Sequence, residues 1–258
     1  SGATAFSVTP SGDMYVLESG TDRLIRFSAA GERLRETGGF GWGEGGFDRP
    51  SDVSALNDLE LYVSDFGNDR IVRLDGTLGL VSVFETRAEN VTFRFPLSVA
   101  ITQLGKLLIV DGEFGRIIEL GKDDRISRIF GGSGSGRGYL HRPVKVRSDS
   151  DQRVLVRDDS GIVVYDTYGN FLRLIPGLVT GPFISFDVTA GGVVLLDTTS
   201  VRCTTLDGEE FWRSDLPPLP STQPGIPVDI RSEGGWVYVL YPDHVIRLRR
   251  GGGETPKE

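Results

Sequence analysis

One cysteine, Cys203, and two histidines, His141 and His244, are all that this 258-residue chain offers of those two residue types. A lone cysteine excludes an internal disulfide framework and any CxxC redox or zinc motif. On a strand-like run it reads as a small buried apolar side chain rather than as a nucleophile. Two histidines fall short of the three or four converging ligands that a zinc site needs. Basic excess is missing too: a net charge of −8 argues against a protein that works by neutralising nucleic-acid phosphates. No apolar run reaches the ~18 residues of a membrane span, and Ser1-Gly2-Ala3-Thr4 has no basic-then-apolar signal character. No segment of helical length shows a 3.6-residue apolar period. Apolar residues nonetheless make up 38% of the chain, enough for a substantial core.

The chain repeats itself. Met14-Tyr-Val-Leu-Glu18 leads through a polar turn to Arg23-Leu-Ile-Arg-Phe27, Leu61-Tyr-Val-Ser-Asp65 to Arg70-Ile-Val-Arg-Leu74, and Leu108-Ile-Val-Asp111 to Arg116-Ile-Ile-Glu-Leu120. A proline precedes the acidic position by a fixed interval: Pro50 to Asp65, Pro96 to Asp111, Pro143 to Asp158 and Pro182 to Asp197 are each 15 apart. Ala3 to Glu18 keeps the interval and Pro227 to Tyr241 shortens it to 14, which gives six units beginning near 3, 50, 96, 143, 182 and 227. Inside a unit, short β-rich runs alternate with turns, as in Pro143–Arg147, Arg153–Arg157, Gly161–Tyr165 and Asn170–Ile175. Four strands per unit, repeated every 39 to 47 residues, predict an all-β, six-bladed β-propeller of four-stranded antiparallel blades spanning 1–250. Unit 6 supplies about three strands, so either the last blade is three-stranded or the native protein continues beyond this chain and the outermost strand lies there. Residues 251–258 read as a disordered tail.

Two enzyme-like motifs dissolve in this frame. Gly41, Gly43 and Gly46 form a GxGxxG, but Phe47-Asp-Arg-Pro50 and a strand follow it, where a dinucleotide fingerprint opens a helix. It is a connector between units 1 and 2, with Phe40, Trp42 and Phe47 expected to cover the gap between blades, and 131–142 is the matching connector between units 3 and 4. Asp65-Phe66-Gly67 is a kinase-like tripeptide in a hairpin turn. Gly132-Ser133-Gly134-Ser135-Gly136 lacks the strand-to-helix context of a nucleophile elbow.

The pattern of proline, apolar strand, apolar-Tyr-Val-x-Asp strand, polar turn and Arg-Ile resembles the NHL-repeat propellers. Phe47-Asp-Arg-Pro50 through Asp65 to Arg70-Ile71 carries the likeness best; units 5 and 6 depart from it, Asp197 lacking the Arg-Ile and Tyr241-Pro-Asp-His244 replacing the acidic turn. The resemblance implies a fold more than a function, and by analogy an extracytoplasmic location.

Repetition sorts the polar residues. The acidic column (Glu18, Asp65, Asp111, Asp158, Asp197) and the arginine column (Arg23, Arg70, Arg116) recur in successive units, which points to turn or inter-blade hydrogen bonds rather than chemistry. Residues that break the repeat are the site candidates. On the innermost strands the second and fourth positions after the proline share a face: Asp52 and Ser54, Ser98 and Ala100, Lys145 and Arg147, Ile184 and Phe186, Asp229 and Arg231. Asp52, Lys145, Arg147, Asp229 and Arg231 therefore crowd the channel mouth, either to hold a polar ligand or to pair with one another. Arg142, Lys145, Arg147, Arg153 and Arg157 concentrate positive charge in unit 4.

Two functions fit. The first is a noncatalytic, monomeric scaffold with no cofactor, whose connectors present Phe40, Trp42, Phe47, Tyr139 and His141 to a protein, peptide or glycan. The second, implied by a resemblance to gluconolactonase-type propellers, is a hydrolase with an axial divalent cation such as calcium on Asp52 and Asp229, Asp187 being a weaker third ligand. Nucleic-acid binding is disfavoured by the charge.

Overall fold

The computed structural model describes residues 2–85, 93–132, 134–176, 183–217 and 225–250. Its strands form six antiparallel meanders, five of four strands and the last of three. Blade 1 comprises β1 (Ala5–Val8), β2 (Met14–Glu18), β3 (Arg23–Phe27) and β4 (Arg33–Gly38); blade 2, β5 (Pro50–Ala55), β6 (Glu60–Asp65), β7 (Arg70–Asp75) and β8 (Leu80–Glu85). Blade 3 is β9 (Pro96–Ile101), β10 (Leu107–Asp111), β11 (Arg116–Leu120) and β12 (Ile126–Gly131); blade 4 is β13 (Lys145–Ser148), β14 (Val154–Asp158), β15 (Gly161–Tyr165) and β16 (Phe171–Pro176). Blade 5 has β17 (Ser185–Thr189), β18 (Gly192–Leu196), β19 (Ser200–Thr204) and β20 (Glu210–Asp215), and blade 6 has β21 (Asp229–Glu233), β22 (Trp236–Leu240) and β23 (Val245–Arg249). The expected start of unit 5 at Pro182, Ser133 of the glycine stretch and the tail 251–258 lie outside the described residues.

Burial explains the layering. The two middle strands of a blade are covered on both faces and read as continuous apolar runs, such as Leu107–Val110 and Gly192–Leu196, all buried. Outer strands carry mixed polar sequence and stay half exposed. The core is a set of apolar clusters lying between adjacent blades. One joins Tyr15, Leu17 and Leu24 of blade 1 to Val53, Leu61 and Val72 of blade 2. Another joins Leu240 of blade 6 back to Phe6, Val8 and Val16 of blade 1, so the ring closes through apolar contact. Cys203 is fully buried in the cluster between blades 5 and 6, and burial pushes its thiol up to about 11.

The 38–49 connector divides its aromatics. Phe47 is 1% exposed and packs into the seam between blades 1 and 2, whereas Phe40 and Trp42 are 76% and 77% exposed. Only Phe47 covers the gap as expected, because the strand-like exchange of backbone bonds between Gly39, Gly41 and Phe47 turns the intervening residues outward. Gly38 needs to be glycine: its φ is +106°, and a Cβ there would meet the Asp22 carbonyl oxygen at 2.4 Å.

Candidate functional site

The recurring acidic residues turn out to fasten connectors to blades. Asp65 accepts the backbone N–H of Asp48 at 2.8 Å and pairs with Arg70 at 2.7 Å. Asp111 likewise accepts from Arg94 at 3.3 Å and pairs with Arg116 at 2.9 Å, and Asp158 accepts from His141 at 2.5 Å and Ser160 at 2.7 Å. Asp197 departs, taking the N–H groups of Thr199 and Ser200 in its own turn, both at 2.7 Å. In blade 1 the column also breaks: Arg23 pairs with Glu36, not with Glu18. Arg70 settles the glycine-rich loop. Its guanidinium donates to the carbonyls of Trp42 at 2.9 Å, Gly46 at 2.7 Å and Gly43 at 3.4 Å. The loop thus turns carbonyl oxygens inward onto a cation, opposite in polarity to a loop whose N–H groups cradle phosphate.

At the axis, the inner strands bring three carboxylates and three cations together. Asp52, on β5, is bonded by Arg147 Nη1 at 3.2 Å and Arg231 Nη2 at 3.3 Å, and takes the Ser98 hydroxyl. Asp229, on β21, holds Arg231 Nη1 at 3.0 Å, the Lys145 ammonium, and the Ser185 hydroxyl at 2.6 Å. Asp187, on β17, lies 3.4 Å from Arg147 Nε and accepts the Ser232 N–H at 2.8 Å. Arg231 also rests over the Phe6 ring, 5.5 Å from its centroid. Nε and Nη2 of Arg147 are buried without a hydrogen-bond partner among the described residues, so this guanidinium is held more by charge than by bonds.

The five channel-mouth residues therefore do converge, but with two additions. The proline-based register put Ile184 and Phe186 of unit 5 on the axial face. Ser185 pairs with Leu196 as Asp229 pairs with Leu240, so Ser185 and Asp187 occupy those places and Phe186 is buried in the core between blades 4 and 5. One extra residue before β17 shifts every side chain to the other face. Asp187 completes the charge balance.

Electrostatics follow from the count. Burial opposes ionisation of Asp52, but Arg147, Lys145 and Arg231 outweigh it and hold its carboxyl below the ordinary range. Asp229 is lowered too: burial opposes the charge, and Arg231, Lys145 and Arg147 overcome it. Burial drops the Lys145 ammonium to about 8, with Asp229 resisting and the two arginines adding to the fall. The two partners therefore differ in sense: the charged form of Asp229 is favoured, whereas burial and the two arginines disfavour the charged form of Lys145 despite its bonded carboxylate.

A divalent cation does not fit this arrangement. Hard metals take about six oxygens, and Asp52 and Asp229 already carry guanidinium and ammonium groups that a metal would have to displace. Among the described residues no three His, Cys, Asp or Glu side chains gather as a metal site would require.

The positive charge of unit 4 is scattered rather than presented. Arg142 pairs with Asp159 at 2.7 Å, Arg153 with Asp149 at 2.7 Å, and Arg157 lies over the Phe183 ring at 4.8 Å, while Lys145 and Arg147 point to the axis. Beside the second connector, however, there is a groove of about 460 Å³. Tyr139 and His141 line it, with Arg137 on the same connector and Phe171 and Arg173 on β16. Tyr139 is 42% exposed, Arg173 pairs with Asp207, and Arg137 has no carboxylate partner among the described residues. Arg137 and the groove itself escaped sequence reasoning, because the concavity depends on how a connector lies against a neighbouring hairpin. His244 is elsewhere, stacked on Tyr241 at 4.5 Å.

No family model and no curated protein sequence matches the chain. Solved structures do resemble it. A streptogramin B lyase is 13% identical with a TM-score of 0.64, over 98% of this chain and 84% of the other. Virginiamycin B lyase from Staphylococcus aureus, in a catalytically inactive form with quinupristin, is 14% identical with a TM-score of 0.62, over 96% and 84%. A protein of unknown function from Bacteroides caccae is 14% identical with a TM-score of 0.51, over 68% of each chain. At such identities the likeness is one of fold.

Proposed function

We propose that this chain is a noncatalytic binding module, an NHL-like propeller whose connector groove around Tyr139 receives a segment of a protein, peptide or glycan. The carrying observation is the contrast between axis and rim. At the axis, three cations answer three carboxylates, and a ligand would have to break buried pairs to enter. At the groove, an exposed ring and the guanidinium of Arg137, which has no carboxylate partner among the described residues, line the same concavity. Tyrosine and arginine are the side chains that dominate recognition surfaces, offering a flat face and a forked donor at low entropic cost. The groove therefore suits a segment that joins a flat or apolar group to a carboxylate.

The NHL likeness of units 1 to 3 and the absence of an assembled nucleophile–base pair among the described residues support the same reading. The similar proteins are named streptogramin B lyase and virginiamycin B lyase; at this axis every carboxylate among the described residues already has a partner cation. Parallel peptide and glycan arrays probed with the wild type and with Tyr139→Ala/Arg137→Ala test the proposal. Ligands captured by the wild type and lost by the double variant support it. Equal capture by both, or turnover of a captured ligand, overturns it.

A further inference from the structure

Among the described residues, blade 6 has three strands and an unpaired edge at β23, where every other blade has a fourth strand. Those fourth strands do a specific job at four of the seams between blades. Phe84 pairs with Ile71, Phe130 with Ile117, Ile175 with Ile162, and Trp212 with Cys203. In each case the fourth-strand side chain packs into the cluster shared with the next blade. At the seam between blades 6 and 1 no such plug exists among the described residues, and a groove of about 310 Å³ lies there, lined by Met14, Val16, Ile25 and Phe27 of blade 1 and Val245 of β23.

The edge is set up to take a strand. In the β22–β23 ladder, the Tyr241 N–H donates to the His244 carbonyl at 2.8 Å and the Arg250 N–H to the Gly235 carbonyl at 3.1 Å. Because bonded pairs alternate along an antiparallel ladder, the N–H and C=O groups of Val245, Arg247 and Arg249 point away from β22, to the open side. Their side chains share one face, the one that carries Val245 into the blade 1 cluster, while Ile246 and Leu248 pack toward blade 5. Arg247 and Arg249 are exposed, lean on the Trp236 ring at 4.5 and 6.0 Å, and have no carboxylate partner among the described residues.

We propose that β23 is a strand-addition site for an extended peptide of a partner protein, with an acidic residue, a spacer, an acidic residue, a spacer and a large apolar residue in that order. Antiparallel pairing puts the two carboxylates beside Arg249 and Arg247 and the apolar side chain opposite Val245, in the place that Phe84, Phe130 and Ile175 fill elsewhere, Trp212 lying two residues along its strand from that place. Residues 251–258, Gly-Gly-Gly-Glu-Thr-Pro-Lys-Glu, hold no large apolar side chain. The site is independent of the connector groove.

The test is fluorescence anisotropy of a labelled synthetic peptide of this pattern, Asp-Thr-Glu-Val-Phe flanked by threonines, against the 258-residue chain. Saturable binding at micromolar concentration is expected. Changing the peptide's Phe to Ala should weaken it at least tenfold, and so should Arg247→Glu/Arg249→Glu in the protein. Arg247→Pro removes one outward N–H without touching the β22 ladder and should abolish binding while circular dichroism remains that of the wild type. Should that variant misfold, the peptide substitution and the charge reversal still decide. No binding by the wild type, or binding indifferent to both the phenylalanine and the arginines, overturns the proposal.

Discussion

Arg70 reaches one carboxylate and three loop carbonyls at once, which is work for a planar fork and not for a point charge. Arg70→Met should strand the buried carboxylate of Asp65, itself raised by burial, and cost about 3 kcal/mol in urea unfolding. Arg70→Lys should recover only part of that, and near-equal stability of the three proteins would refute the assignment. Lys145 makes a pH-dependent prediction. Its folded value of about 8 lies below the ordinary 10.5, so between those limits the unfolded chain binds more protons and stability rises with pH. Buried Tyr62 and Cys203, raised to about 12 and about 11, push the other way above pH 9. The comparison must therefore be with Lys145→Met: the wild type should gain stability relative to this variant from pH 8 to 10, and a flat difference would contradict it.

In blades 2 to 5 the fourth strand is weakly apolar and half exposed, yet one side chain in it seals the next seam. Phe130 meets Tyr165 edge-on at 5.0 Å in the cluster between blades 3 and 4. Phe130→Ala should cost about 3 kcal/mol by chemical denaturation, well above the change from Ile129→Ala on the outward face of the same strand. The strands themselves were legible in the sequence, because a repeated proline-to-acid interval pins both the inner and the second strand of each unit. Alternation within a strand then named Asp52, Lys145, Arg147, Asp229 and Arg231. The same logic failed in unit 5, where pairing of Ser185 with Leu196 is one residue away from what the proline interval implies; a period-two pattern has no tolerance for an extra residue in the loop before it. Phe40 and Trp42 were misjudged for a related reason. An aromatic in a glycine-rich connector points wherever its backbone turns, and composition does not carry that turn.

The ring as a whole is tied at its centre by charges drawn from separate blades: Asp52 from blade 2, Arg147 from blade 4, Asp187 from blade 5, Asp229 and Arg231 from blade 6. Arg147–Asp52 and Arg231–Asp52 join residues 95 and 179 positions apart and form only when blades 2, 4 and 6 are in place, so the network they belong to contributes to closing the ring rather than to any one sheet. Its pairs should not behave independently. A double-mutant cycle of Asp52→Asn and Arg231→Gln, read by urea denaturation, should show a coupling above about 1 kcal/mol, since contacting residues of one network are non-additive. Acid tests the same ring. The folded values of Asp52 and Asp229 lie below the ordinary 3.8, so their stabilising effect is complete above that value and is lost as pH falls through the lower, folded one. Stability should hold between pH 5 and 7 and decline below about 4, the decline being shallower in Asp52→Asn because one of the protonating groups is gone. An acid limb identical in the two proteins would mean that the axial carboxylates do not govern closure, and that the apolar seams hold the ring alone.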